Sequence, residues 1–81
     1  MVRLAQAYWA MQDLDNSEKM AKLALQRNNK LAEPYRILGR IYDRGGQYQL
    51  AKDNFEKYLL LLPQAADAEA IREKLNLSPY E

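Results

Sequence analysis

Apolar residues recur along the chain at spacings of three and four, the period of helices that lie on a core. From Val2 to Met11 the run Leu4, Tyr8, Met11 marks a first helix, with Ala5 and Ala7 between. Asp13, Asp15 and Asn16 predict a turn, and Asp15 or Asn16 is suited to cap a second helix over about 17–27. The apolar face of that helix is Met20, Ala21, Ala24 and Leu25, and "NNK" at 28–30 breaks it. A third helix covers 32–44, with Pro34 in its first turn, where a missing N–H leaves no bond unmade. Gly45 and Gly46 then supply the positive φ of a helix stop. Tyr48, Ala51, Phe55, Leu59 and Leu62 trace a fourth helix ended by Pro63. A fifth, over 65–77, carries Ala66, Ala70, Ile71 and Leu75 on one side. No alternating strand pattern occurs, so the expected fold class is all-α: two antiparallel helix pairs and one additional helix.

The pairs repeat. Shifted by about 34 residues, Leu4 falls on Leu38, Ala5 on Gly39 and Tyr8 on Tyr42. Leu14 falls on Tyr48, Ser17 on Ala51, Ala21 on Phe55 and Leu25 on Leu59. Size class and polarity are kept more than identity. Gly39 in mid-helix costs up to about 1 kcal/mol relative to alanine, which implies a helix passing close by, and Ala51 is the expected neighbour.

The stretch "YRILGRIYDRGGQYQLAKDNFEKYLLLLP" resembles a tetratricopeptide repeat. Tyr35, Leu38, Gly39, Tyr42, Ala51, Phe55 and Pro63 stand at the places of that motif; only Tyr58, where the family prefers alanine, departs from it. Residues 1–29 resemble a second, degenerate copy, with Ala21 for the aromatic and Asn29 for the proline, and the well-matched copy covers 32–63. The helix at 65–77 resembles the solvating helix that closes such arrays, leaving 78–81 as a tail. The resemblance implies one domain over 1–81, built as a short right-handed α-solenoid of about five helices. Three repeats are usually wanted for stability, so two plus a cap imply a fragment or terminal segment of a longer array. "ADAEAIREKL" is similar in style to helices that end bacterial arrays; the compartment is not legible.

Composition narrows the function. The chain has 81 residues, nearly half of them apolar, and a net charge of +1. That balance suits a folded domain and counts against nucleic acid as partner, since phosphate-binding domains carry a clear basic excess. With no cysteine and no histidine, disulfides and ordinary zinc sites are excluded. The only serines are Ser17, at a packing position, and Ser78 in the tail, so nucleophilic catalysis has little to work with. The carboxylate pairs Asp13 with Asp15 and Glu69 with Glu73 read as turn chemistry and a solvated face. No enzyme activity and no cofactor are expected. No segment reaches the length of a membrane span, and the N-terminus lacks a signal-peptide core.

Function is therefore sought on surfaces. In the family that these repeats resemble, the first helix of each pair lines a concave groove. The resemblance places Gln6 and Trp9 there from the first pair and Arg36, Arg40 and Asp43 from the second. Arg36, Arg40 and Arg44, spaced i, i+4, i+8, form one stripe. A basic stripe beside tryptophan suits a protein or peptide partner, acidic with an apolar anchor. Against this stand two simpler readings. The arginines form a solvated face balanced by Glu33, Asp43 and acids of the last helix, and Trp9 packs against an upstream repeat. A third arrangement puts the terminal helix in the groove. A nucleic-acid-binding repeat using the arginine stripe is a weaker alternative. Some family members hold a free C-terminal carboxylate with groove lysines and asparagines; Val2, Gln6 and Ile37 occupy those places, so that clamp is absent.

The run Leu59 to Leu62 raises a separate question, because four consecutive helical residues point nearly all the way round. The family pattern assigns Leu59 and Leu61 inward and Leu60 and Leu62 outward. With Tyr58 these two make an apolar patch in excess of what the repeat requires. Its cover is the terminal helix through Ile71, Leu75 and Leu77, a second copy in a homodimer, or a different protein.

Overall fold

The chain in its computed structural model, which describes residues 1–77 and 79–80, is an all-α repeat solenoid. Its five helices are α1 (Val2–Ala10), α2 (Leu14–Arg27), α3 (Ala32–Arg44), α4 (Tyr48–Leu61) and α5 (Ala68–Leu75). Each of the first two pairs closes on itself, α1 with α2 and α3 with α4; α3 also packs on α1 and α2, and α5 on α4.

The helix ends show the repeat at the level of hydrogen bonds. Asp13 N–H donates to the Tyr8 carbonyl at 2.8 Å, and 34 residues on, Gln47 N–H donates to the Tyr42 carbonyl at 2.9 Å. Both are the longer bond of a Schellman stop, which needs a left-handed residue just inside it. Gly46 fills that place with φ +76°, and Gln12 fills the other with φ 62°. Gly45 is right-handed at φ −84°, so only one of the two glycines has the expected conformation. The cap of α2 also differs from expectation. Asp13, not Asp15 or Asn16, is the N-cap; it accepts from Asn16 N–H at 3.3 Å and from the Asn16 amide at 2.8 Å. The helix consequently begins three residues early. The fifth helix is shorter at both ends than the 65–77 span.

Two connected clusters form the core. Ala5, Ala21, Ile37, Leu38 and Ile41 make one, flanked by Trp9, Leu14, Met20, Leu25 and Tyr42. Tyr35, Ala51, Phe55, Tyr58, Ile71 and Tyr80 make the other, flanked by Leu25, Tyr42, Leu59, Leu61 and Leu75, among others. Gly39 does mark a close approach, but its neighbour is Phe55 rather than Ala51. A Cβ on Gly39 would stand 2.7 Å from Cδ1 and Cε1 of the Phe55 ring. In the first repeat the equivalent places hold Ala5 and Ala21, and fully buried Ser17 donates its hydroxyl to the Ala5 carbonyl at 2.7 Å.

The leucine run divides as its pattern implies: Leu59 and Leu61 are half-buried, Leu60 is 81% exposed and Leu62 46%. Elsewhere the chosen face is rotated. In α1 Leu4 is exposed, as is Met11 at its C-cap, while Ala5 is buried, because the small residue is the one that lets α1 approach Ser17 and Ala21. In α5, Ala68 and Ile71 are buried and Ala70 is exposed, as is Ala66 ahead of the helix.

Two glycine positions give opposite expectations. Gly39→Ala overpacks the Phe55 ring and should destabilise by about 1–3 kcal/mol. Gln12→Gly relieves a left-handed side-chain conformation and should stabilise by roughly 1 kcal/mol. Urea unfolding followed by circular dichroism measures both. An unchanged midpoint for Gly39→Ala would mean that the ring moves aside without penalty.

Candidate partner-binding site

The residues assigned to the groove come from two helices, and the structure gives them different surroundings. Gln6 on α1 is exposed. Trp9, one turn on, is half-buried against the first core cluster, and the Arg44 guanidinium lies 5.2 Å from its ring centroid. That stacking joins the end of α1 to the end of α3, and the cation sits over the negative face of the ring. Arg40 borders a cleft of about 190 Å³ that Phe55, Asp67, Ala70, Ile71 and Lys74 also line. Among the described residues neither Arg40 nor Arg44 forms an ion pair with an acid.

The rest of the stripe is engaged within the chain. Arg36 donates through Nε to Asp67 Oδ2 at 2.6 Å and through Nη1 to Glu33 Oε1 at 2.8 Å. Tyr58 donates its hydroxyl to the other oxygen of Asp67 at 2.8 Å. Asp43 accepts from Lys74 Nζ at 2.9 Å and from the Tyr80 hydroxyl. The Tyr80 ring is edge-on to Tyr48 at 5.4 Å between centroids and is itself buried. The terminal helix and the segment after it thus lie over the face that carries Arg36 and Asp43. Arg36 is partly buried and is balanced by Glu33 and by Asp67 at the start of the last helix.

The apolar patch is smaller than expected. Tyr58 is only 4% exposed, turned into the second cluster with its hydroxyl on Asp67. Leu60 and Leu62 remain outside it, and Leu60 stands among Asp53, Glu56 and Lys57. Leu77, one of the three residues expected to cover the patch, is 62% exposed. The residue that closes this end of the core is Tyr80, in a stretch that had no assigned role.

The Tetratricopeptide repeat family model matches residues 1–31 and 32–64. The chain belongs to the tetratricopeptide-repeat family. No curated protein and no solved structure matches it. The family is a non-catalytic repeat scaffold whose general role is protein–protein interaction. No helix among the described residues is long and apolar enough to cross a membrane.

Electrostatics around the end of this repeat pair follow from the same contacts. Burial alone raises the Asp67 carboxyl, but the bonds from Tyr58 and Arg36 and the guanidinium charge outweigh it, so it titrates below the ordinary range. Asp43 behaves alike: burial opposes, while Tyr80 and Lys74 prevail and lower it. Tyr58 is pushed up to about 12 by burial and by its bond to Asp67. Burial and Asp43 push Tyr80 up as well.

Because both carboxyls are lower in the fold than in the unfolded chain, their contribution is fully present above about pH 4. It is lost as pH falls through the lowered folded values. The urea midpoint of the native chain should therefore drop across that acid window, and less steeply in the Asp43→Asn, Asp67→Asn double variant. Parallel pH profiles for the two chains would show that these carboxylates do not carry the attachment.

Proposed function

We propose that this tetratricopeptide-repeat module binds a protein partner through the surface formed by Gln6, Trp9, Arg40 and Arg44, and that the recognised segment is acidic with an apolar anchor. The observation that carries the reading is the Arg44 guanidinium over the half-buried Trp9 ring, one turn from Arg40, which among the described residues forms no ion pair. A cation over an aromatic face offers charge to a carboxylate and contact area to an apolar side chain, the combination that concentrates binding energy at interfaces, and Arg40 adds a second charge on the same helix. Arg36 and Asp43 are not part of this surface, being held by Asp67, Lys74 and Tyr80. The family's general role supports protein as the partner class.

Self-association is the second reading, favoured by one observation: Leu60 is 81% exposed, with Leu62 also open. Burying one leucine contributes roughly 1.5–3 kcal/mol, so two copies meeting there would gain from both.

The test of the first reading titrates the chain with a glutamate- and aspartate-rich peptide carrying one leucine or phenylalanine. Arg44→Glu should weaken binding at least tenfold, and rising salt should weaken it further. Equal affinity for the native chain, Arg44→Glu and Trp9→Ala would sink the reading. Light scattering across a wide concentration range addresses the second. A dimer that Leu60→Lys with Leu62→Lys dissolves would make these leucines the main interface, whereas a native monomer at every concentration would eliminate it.

A further inference from the structure

The second helices of the two pairs carry the same outward stripe with its charges reversed. On α2 the stripe is Lys19, Lys22, Leu23 and Gln26; one repeat further on, α4 has Asp53, Glu56, Lys57 and Leu60 at the equivalent places. Each set is spaced i, i+3, i+4, i+7 and so lies on one helix face, and every one of these residues is exposed. Two cations of the first repeat thus stand where the second has two acids. Among the described residues, Lys19, Asp53 and Glu56 form no ion pair within the chain. Lys22 is shared with Glu18, and Lys57 reaches over the Tyr35 ring, 5.5 Å from its centroid. The α4 stripe is therefore acidic around Leu60, and the α2 stripe is basic beside Leu23.

Reversed charges on equivalent helices give one chain the complement of another. α2 and α4 run in the same direction, each being the second member of an antiparallel pair, and equivalent positions of stacked repeats face the same side. A two-fold axis along that direction sets α2 of one copy on α4 of the other, parallel and in register, twice over. Lys19 then meets Asp53 and Lys22 meets Glu56 across the interface, and Leu60 comes within one turn of Leu23. A two-fold axis at right angles to the helices places α2 on α2 and α4 on α4, cation against cation and acid against acid. Like charges face to face oppose association, so the chain's own charges select the first arrangement. Exposed ion pairs contribute little affinity by themselves; they set the register, and the leucines supply the apolar contact.

We propose that the outer stripes of α2 and α4 form a docking surface for a second copy of this chain, joined as a parallel, in-register two-fold pair. The proposal rests on the self-association reading and gives it a geometry: Leu60 meets the Leu23 side of α2, not a second Leu60. It shares no residue with the Trp9–Arg44 surface.

The experiment measures molar mass by light scattering, on dilution and at low salt, for the full chain and its charge-reversed variants. Lys19→Glu with Lys22→Glu makes both stripes acidic, and Asp53→Lys with Glu56→Lys makes both basic. Circular dichroism checks that each variant keeps the native helix content. Each double variant should dimerise at least tenfold more weakly than the native chain. All four substitutions together exchange the two stripes at unchanged net charge and should restore the native dissociation constant to within threefold. Leu23→Lys should weaken the dimer at least threefold, which Leu60 meeting Leu60 does not require, and rising salt should weaken it further. A native dimer indifferent to both reversals and to Leu23→Lys overturns the proposal and leaves the self-association reading in place. A native chain that is monomeric at every concentration overturns both. A fourfold variant as weak as the double variants overturns the proposal, as do species that grow beyond two copies.

Discussion

The contact on which the rest of the molecule depends is the Phe55 ring lying on the bare backbone of Gly39. With no Cβ at that point, α4 comes close enough for an aromatic ring to take the place of a side chain on α3. The direction of α4 is set there. Three residues beyond Phe55, Tyr58 then enters the seam between α4 and α5, where its hydroxyl reaches Asp67. The face of α3 that carries Arg36, Arg40 and Asp43 is left clear of α4, so what binds it comes from elsewhere. In this chain part of it is bound by the chain's own end.

The first repeat brings its two helices together by other means. Alanines on both α1 and α2 bring the backbones together, and the buried Ser17 hydroxyl finds its acceptor in the Ala5 carbonyl, so no polar group is stranded. Small contacts bury little side chain. Hence α1 contributes Ala5 and part of Trp9 to the core while leaving Leu4 and Met11 exposed, and Trp9 leans toward α3 and Arg44.

Much of the fold was legible in the sequence because it is local and periodic. Five helices, the 34-residue offset and the inward and outward sorting of Leu59 to Leu62 all follow from spacing and from the motif around Tyr35 to Pro63. What failed was what depends on distant partners. Leu4 looked like a core residue because apolar period alone does not say which of two adjacent residues meets the next helix; the small Ala5 does. Tyr58 looked like part of an outer patch because its acceptor, Asp67, lies nine residues on, across a turn. The pairings of Arg36 with Asp67 and of Asp43 with Lys74 and Tyr80 join residues more than thirty positions apart, and no spacing rule connects them. Asp67 stands at the N-cap of α5, inside the span read as helix from sequence, and its carboxylate turns to a guanidinium and a phenol. The proposed partner surface at Trp9 and Arg44 rests on a stacking that spacing also leaves unspecified.

Leu25 and Tyr42 border both core clusters, and Tyr42 adds a hydrogen bond to Glu18 at 2.8 Å across the α2–α3 junction. In an array of repeats, stability is a sum of what each unit contributes alone and what each junction contributes between units. With only two units there is one such junction, and these side chains contribute to both sides of it. Neither pair of helices can melt without removing packing from the other. The four helices therefore behave as a single cooperative block, and the smallest subdivision available to this chain is the block on one side and its terminal helix on the other.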